Sequence, residues 1–143
     1  MQIRPATEDD LAAIVRLVSE FRGQAVDADT VRRDFYEHFV NSNDRVVLLA
    51  DDGNVLGMVL LTLIYKLDRC ECRLDEVFVS EAARGKGVGR QLLAACEAWA
   101  WQHEVDEIGF TSRPSREAAN ALYQKAGFTL RQTNVYQKKR ENS

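Results

Sequence analysis

The chain has 143 residues, close to the size of one domain of about 150 residues, and we expect a single domain over residues 1–143. Hydrophobic residues make up 45% and charged residues 29%, a balance that excludes a disordered chain or a coiled coil and indicates a globular fold. The formal net charge of −3 argues against a nucleic-acid partner, because no net positive field attracts a phosphate backbone.

The first half of the chain predicts three strands and two helices. Thr7 and Asp10 have the spacing of a capping box, and the apolar residues after them recur with a helical period as far as Gly23. An Asp-Asp-Gly-Asn turn between two apolar runs predicts a buried β-hairpin. In chain order these elements are a strand at residues 2–5, a helix ending near residue 23, a helix from residue 29 or 30 to the polar break at 41–44, and strands at 46–50 and 55–65.

The second half alternates strands with helices. Gly127 has the place of a glycine that ends a helix, because this residue type readily adopts a positive φ. The predicted elements are a strand at about 70–79, a helix after the glycine-rich stretch 84–90, a strand at 106–111, a helix from Pro114 or Ser115 to Gly127, and a last strand from Asn134 to Lys138. Strands and helices together predict an α/β (α+β) fold.

Neither a membrane segment nor a metal site is expected. The longest apolar run, Val55 to Tyr65, is shorter than the roughly 18 residues that span a bilayer, and no apolar leader follows Met1, so we expect a cytoplasmic protein. The three cysteines and two histidines lack the spacing of a zinc site. We therefore expect these side chains to be structural or on the surface.

The glycine-rich segment before the third predicted helix carries the strongest chemical signal. Its residues are Arg84, Gly85, Lys86, Gly87, Val88, Gly89 and Arg90. Glycine permits positive φ and close approach, so successive backbone N–H groups at a helix N-terminus can converge on one anion. Three basic side chains add full positive charges, and the segment predicts a site for a phosphate or pyrophosphate.

The spacing of the glycines excludes two common phosphate-binding motifs. An ATP-binding P-loop needs a Gly-Lys pair followed by Ser or Thr, whereas Lys86 lies between glycines with no such hydroxyl after it. A dinucleotide fingerprint needs a different glycine spacing after the first strand of a parallel unit. Here the glycines follow strands that are predicted to be antiparallel.

Two separate segments resemble the GNAT acyltransferases. Residues 84–89 match that family's Q/R-x-x-G-x-G/A motif, which holds the pyrophosphate of acetyl-coenzyme A, and residues 120–128 are similar to its later N-x-x-A-x-x-L-Y-x-x-x-G-F segment. The resemblance covers nearly the whole chain. It implies a GNAT fold, with a mixed, mainly antiparallel sheet of six to seven strands, splayed fourth and fifth strands, and four flanking helices.

The resemblance also implies where acetyl-coenzyme A binds as cosubstrate. The pantetheine arm of the coenzyme would lie between the splayed strands and pair with the backbone of Val77, Phe78 and Val79. An N–H group there can stabilise negative charge on a thioester carbonyl. Residues 84–90 would bind the pyrophosphate, Asn120 would contact the pantetheine, and no metal is implied.

The implied reaction is direct transfer of an acetyl group to a primary amine within a ternary complex. Asp75 and Glu76 stand where relatives that acetylate polyamines and amino-sugar phosphates carry an acidic pair. Successive strand residues face opposite sides, but a bulge can change the phase, so either carboxylate can face the site; we favour Glu76 as the group that deprotonates the amine. Tyr123 corresponds to a tyrosine that protonates the departing thiolate.

The acceptor is left open by the sequence. Residues 21–39 and the turn at 65–71 should line the acceptor side, and their charges are of both signs. A small primary amine is the first hypothesis, and a protein lysine or N-terminal amine is the second. A non-catalytic acyl-coenzyme A binding module is the third, although it would need neither Glu76 nor Tyr123. The predicted last strand would present an open edge, so we expect a homodimer paired through it.

Overall fold

The computed structural model describes residues 1–141, which form two compact units, Met1–Thr111 and a second unit that begins at Ser112. The elements of the first unit are β1 (Gln2–Pro5), α1 (Leu11–Arg22), α2 (Ala28–His38), β2 (Arg45–Asp51), β3 (Val55–Tyr65), β4 (Cys70–Val79), α3 (Val88–Gln102) and β5 (Glu107–Gly109). Short 3₁₀ turns lie at Glu8–Asp10 and Glu81–Ala83. The second unit contains α4 (Glu117–Lys125).

One sheet with the strand order β1-β2-β3-β4-β5 organises the first unit. Neighbouring strands from β1 to β4 are antiparallel, and only β5 runs parallel to its neighbour. This architecture confirms the predicted mixed, mainly antiparallel fold with four helices. The sheet has five strands rather than the expected six to seven.

The predicted last strand, Asn134 to Lys138, is wrong. Residues 128–141 contain neither a helix nor a strand. A strand is held by backbone bonds to a neighbouring strand, and an alternating sequence alone does not supply that neighbour. The side chains that suggested a strand are exposed, at 72% for Val135 and 87% for Tyr136.

Helices cover the two faces of the sheet. On one face, α1 and α2 bury Leu17 and Phe35 against Leu49 of β2 and Met58 of β3. Because side chains alternate along a strand, Leu48 and Ala50 point to the opposite face, where α3 packs on β2, β3 and β4. The strands of the hairpin are therefore apolar on both faces, which is why their sequences read as continuous apolar runs.

Gly57 lets α3 approach the sheet closely. A Cβ atom at this position would lie 2.8 Å from the backbone oxygen of Phe78 and 3.1 Å from Cδ1 of Leu92. The first distance is shorter than real Cβ atoms show, so any side chain would push β3 away from β4 or α3 away from the sheet. The glycine thus fixes the spacing at the carboxyl end of β4, where the site is built.

The cysteines are all free, and two of them are buried where α3 meets the sheet. Burial raises the pKa of the Cys72 thiol to about 11 and raises the pKa of the Cys96 thiol as well, with the nearby Cys72 adding to that rise. Within residues 1–141, no group of three or more His, Cys, Asp or Glu side chains could hold a metal ion. None of the described helices is both long and apolar enough to cross a membrane.

The second unit is built around α4. This helix ends as the sequence predicts, with Gly127 at a φ of 97° just beyond it. The N–H of Gly127 donates to the carbonyl of Gln124, and the N–H of Phe128 donates to the carbonyl of Tyr123, both at 3.0 Å. These bonds satisfy carbonyl groups that the last helical turn leaves without partners.

A charged cluster joins β1 to the start of α1. Arg4 donates to both oxygens of Asp10 at 2.8 Å and to Asp51 of β2 at 3.1 Å. Asp10 also accepts the N–H of Thr7 at 2.7 Å, as the capping-box spacing predicts. The guanidinium of Arg4 lowers the pKa of Asp10 from 3.8 to about 2, because these bonds favour the charged carboxylate.

Asp10→Asn should therefore destabilise the protein by about 2 kcal/mol at pH 7. The contribution of Asp10 is fully present above its usual pKa of 3.8 and is lost as pH falls through its folded-state pKa of about 2. Urea unfolding measures the free energy of unfolding of wild type and variant at pH 7 and at pH 2. The difference between the two proteins should be smaller at pH 2. Asp9→Asn is the control, since Asp9 is exposed and its substitution should change little. Equal stability of Asp10→Asn and wild type at pH 7 would contradict this role.

Candidate active site

The glycine-rich loop links the end of β4 to the start of α3. Gly85 and Gly87 have φ values of 81° and 77°, a region that residues with a side chain rarely occupy. The first bond of the α3 ladder runs from the N–H of Gln91 to the carbonyl of Gly87, at 3.1 Å. The N–H groups of Val88, Gly89 and Arg90 precede this bond, so they are donors that the helix itself does not use.

The loop has both the space and the charge that an anion needs. A Cβ atom at Gly85 would meet nothing within 4 Å, so the backbone there is open to approach. Val88 is buried and anchors the start of α3, whereas Arg84, Lys86 and Arg90 are exposed. Open backbone, helix N-terminal donors and three cations fit the pyrophosphate of a coenzyme.

Glu20, in the last turn of α1, holds the segment that leads into this loop. Its carboxylate accepts the hydroxyl of Ser80 at 3.0 Å and the N–H of Glu81 at 2.9 Å. The bond from Glu81 is the largest cause of a lowered pKa of Glu20, since it favours the charged form. Sequence reasoning missed Glu20, because nothing in its local pattern separates it from other charged residues on a helix surface.

Strands β4 and β5 separate soon after they begin to pair. The parallel ladder joins Glu71 to Glu107, Cys72 to Ile108 and Arg73 to Gly109, and in the described chain it extends no further. β4 continues to Val79, so the backbone of its second half is open on the β5 side. This separation corresponds to the splay expected of the fourth and fifth strands.

The backbone groups on that open side belong to alternate residues. The N–H of Ser80 donates to Leu56 of β3 at 2.8 Å, and backbone groups along an antiparallel strand point alternately to either side. Phe78 therefore turns its N–H and C=O toward β3, while Val77 and Val79 turn theirs toward the open side. Arg84 already uses one of these groups, donating Nε to the carbonyl of Val79 at 3.4 Å.

A β-bulge interrupts β4 at Glu76 and Val77. Asp75 pairs with Leu60 and Phe78 pairs with Met58, so two residues of β4 oppose the single residue Val59. Glu76 has a φ of 52°, the left-handed conformation in which one residue of such a bulge often lies. The extra residue shifts the alternation of side chains by one position.

The shift is visible in where the even-numbered residues of β4 point. Cys72 faces α3, where it contributes to the raised pKa of Cys96, whereas Phe78 lies in the cluster formed with α1 and α2. Phe78 also packs edge-on against Phe21 of α1, with ring centroids 5.3 Å apart. Without the bulge, Cys72 and Phe78 would share one face.

The bulge turns Glu76 toward the end of α1. Oε1 of Glu76 accepts Nη2 of Arg22 at 2.5 Å, and Oε2 is buried with no hydrogen-bond partner among the described residues. Asp75 is 49% exposed and pairs with Arg73 at 3.5 Å along its own strand. Of the two candidate carboxylates, Glu76 is thus the one with an unsatisfied oxygen beneath the surface, where a proton donor would be stabilised.

The remaining two candidates lie on α4 in the second unit. Tyr123 is 6% exposed, and Asn120 lies one helical turn before it. The side-chain amide of Asn120 donates to the carbonyl of Arg113 at 2.9 Å, within the same unit. Their roles toward the coenzyme stay predictions.

Comparison with known proteins gives a consistent picture. The family model described as "Acetyltransferase (GNAT) family" matches residues 11–128. The chain is 26% identical over 129 residues to the aminoalkylphosphonate N-acetyltransferase of Salmonella typhimurium, covering 89% of this chain and 84% of that protein. It is 30% identical over 140 residues to the aminoglycoside N(6')-acetyltransferase type 1 of Stenotrophomonas maltophilia, covering 94% of this chain and 90% of that protein.

A solved structure shares the fold. The aminoglycoside acetyltransferase AAC(6')-Iy, in complex with a bisubstrate analogue of coenzyme A, superposes with a TM-score of 0.84. The two chains are 21% identical, and the match covers 97% of each. That protein has also been crystallised with coenzyme A itself.

Gly87→Val should weaken binding of coenzyme A by more than about tenfold, because a β-branched residue resists the required φ and displaces the backbone donors beside it. Calorimetric titration with coenzyme A measures the affinity, and thermal unfolding checks that the variant is folded. Gly53→Val is the matched control, since Gly53 has a φ of 105° in the turn between β2 and β3. A folded Gly87→Val protein that binds as tightly as wild type would refute the assignment of the loop.

Proposed function

Since this chain belongs to the GNAT family of acetyl-coenzyme A-dependent N-acetyltransferases, we propose that it acetylates the primary amine of a small molecule by direct attack within a ternary complex. The names of two relatives support a small acceptor, because one refers to aminoalkylphosphonates and the other to aminoglycosides. The observation that carries the proposal is the buried, unpartnered Oε2 of Glu76 beside the open half of β4.

Binding of the cosubstrate is divided between side chains and backbone. Residues 84–90 would hold the pyrophosphate through N–H groups at the start of α3 and through Arg84, Lys86 and Arg90. The backbone groups of Val77 and Val79 would orient the pantetheine arm, whereas Phe78 would contribute through the packing of its ring. Bound acetyl-coenzyme A supplies a thioester carbonyl that a neutral amine can attack.

Glu76 would prepare the amine. A free alkyl amine has a pKa of about 10 and is mostly protonated at neutral pH, so it must lose a proton before it can attack. The carboxylate of Glu76 would accept that proton directly or through a water molecule, and its Oε2 has no hydrogen-bond partner that competes for the proton. Tyr123 as the donor of a proton to the departing thiolate remains a prediction from the family resemblance.

Glu76→Gln should lower kcat/KM for the acceptor by about 10² to 10⁴, because the amide cannot take up the proton. Activity of the variant should recover toward basic pH, where the free amine becomes abundant. A panel of small amines and a lysine peptide, assayed by release of free coenzyme A thiol, identifies the acceptor and then measures the variant.

Asp75→Asn is the matched control for that experiment. Asp75 is the neighbouring carboxylate, but its side chain is half exposed and paired with Arg73. We expect its substitution to leave kcat/KM within a few-fold of wild type. A silent Glu76→Gln together with a severe Asp75→Asn would assign the proton transfer to Asp75. If only the lysine peptide is acetylated, the acceptor is a protein and not a small molecule.

We also propose that the protein is a homodimer that uses the segment from Leu130 to Tyr136. This segment exposes Leu130, Val135 and Tyr136 at 81%, 72% and 87%, although it contains neither helix nor strand. A second copy could cover these side chains and supply the strand partner that the sequence pattern calls for.

Light scattering at micromolar concentration should therefore give twice the mass of one chain. The double variant Val135→Asp, Tyr136→Asp should be monomeric, because two buried charges would oppose association. Trp101→Asp serves as the control, since Trp101 is an exposed aromatic residue at the end of α3. If light scattering gives the mass of one chain for the wild-type protein, the homodimer proposal is refuted.

A further inference from the structure

The last turn of α1 places a cation directly beside the proposed base. Nη2 of Arg22 lies 2.5 Å from Oε1 of Glu76, and the side chain of Arg22 is 49% exposed whereas that of Glu76 is 22% exposed. A guanidinium has five N–H donors, and this ion pair leaves others available. Arg22 therefore presents unused donors at the mouth of the same site.

The two residues before Arg22 hold the last turn of α1 in place. Phe21 packs on Phe78, and Glu20 bonds to Ser80 and Glu81, so three successive residues of α1 contact the end of β4 and the turn after it. The guanidinium carbon of Arg22 also lies 5.2 Å from the centroid of the Phe21 ring. A long side chain that is fixed in this way binds a ligand with less loss of conformational entropy.

The charges around the base are balanced only until an amine arrives. Glu76 pairs with Arg22, and the nearby Asp75 pairs with Arg73. An incoming ammonium group adds one positive charge. When Glu76 takes up its proton, Arg22 loses its counter-ion in a site that is partly shielded from water, which is costly unless another anion is present.

We propose that the acceptor is a small zwitterion, an amine that carries an acidic group within a few bonds and binds that group to Arg22. This inference rests on the proposed function and names the substrate class of the same site. The acidic group restores the charge balance while Glu76 is protonated. The short distance between Arg22 and Glu76 requires the acid and the amine to lie close together on the acceptor. Carboxylate and phosphonate share the chemistry that a guanidinium recognises.

Matched acceptors test the proposal in the wild-type protein. β-Alanine and aminoethylphosphonate carry an acid, propylamine is the counterpart without one, and diaminopropane carries a second cation instead. With acetyl-coenzyme A saturating, we expect kcat/KM for the better acid to exceed that for propylamine by about 10- to 100-fold, mainly through KM. The ratio of the two acids tells which anion the site prefers.

Arg22→Gln then separates recognition from positioning. We expect the loss in kcat/KM to be about 10- to 100-fold larger for the preferred acid than for propylamine, which registers any effect of Arg22 on Glu76 alone, with Arg22→Lys retaining part of the activity toward the acid. Arg32→Gln is the control, since Arg32 is an exposed arginine on α2 that pairs with Asp29. Its kinetics should match wild type for every acceptor.

The outcomes distinguish this inference from the function on which it rests. If no small amine is acetylated, the proposed function fails. If propylamine or diaminopropane is acetylated as well as the acids are, the function stands and the zwitterion is refuted. Equal losses for the acid and for propylamine in Arg22→Gln would also refute it, because Arg22 would then only orient Glu76.

Discussion

The extra residue in β4 opposite Val59 determines how the site is arranged. It places Glu76 in a left-handed conformation that costs a residue with a side chain about 1 kcal/mol or more. In return, the residues after it change faces, so that Phe78 joins the core beneath α1 while Glu76 turns to Arg22. A regular strand would leave Phe78 on the side of α3, and α1 would lose the ring against which its last turn packs.

The end of α1 contacts both Glu76 on the bulged strand and the turn that leads into the glycine-rich loop. Arg22 contacts Glu76, Phe21 packs on Phe78, and Glu20 holds the turn that leads into the glycine-rich loop. A movement of this helical turn would therefore displace both the carboxylate and the backbone donors of the glycine-rich loop. Contacts carried by a helix hold side chains more precisely than contacts carried by a loop.

Two different backbone features form the candidate coenzyme site. At the loop, glycines with positive φ remove side chains from the path of an anion, and the first turn of α3 offers N–H groups with no partner in the ladder. Along β4, the early end of its pairing with β5 leaves the backbone groups of Val77 and Val79 without a strand partner on that side, although Arg84 donates to the carbonyl of Val79. Both features leave backbone polar groups without a partner in a helix or sheet, so these groups are available to a ligand.

The sequence by itself determined most of the architecture and predicted the location of an anion site. The pattern of apolar residues marked the first three helices and the strands of the hairpin, because burial on one face of a helix or both faces of a strand leaves a local pattern, and Gly127 marked the end of the fourth helix. Gly85 and Gly87 predicted the loop, since few other residue types readily adopt its positive φ values. The strand expected at 134–138 failed because pairing is a tertiary property, and an alternating segment without a neighbour stays irregular.

What only the tertiary structure decided was how Asp75 and Glu76 are placed and which side chains lie beside them. A bulge depends on the register between two paired strands, so the directions in which Asp75 and Glu76 point were open until the pairing with Leu60 and Met58 was known. Arg22 lies 54 positions from Glu76 along the chain, and Glu20 lies 60 from Ser80. No local pattern records such contacts, because they arise from the packing of a helix across a sheet and not from the residues on either side of each partner.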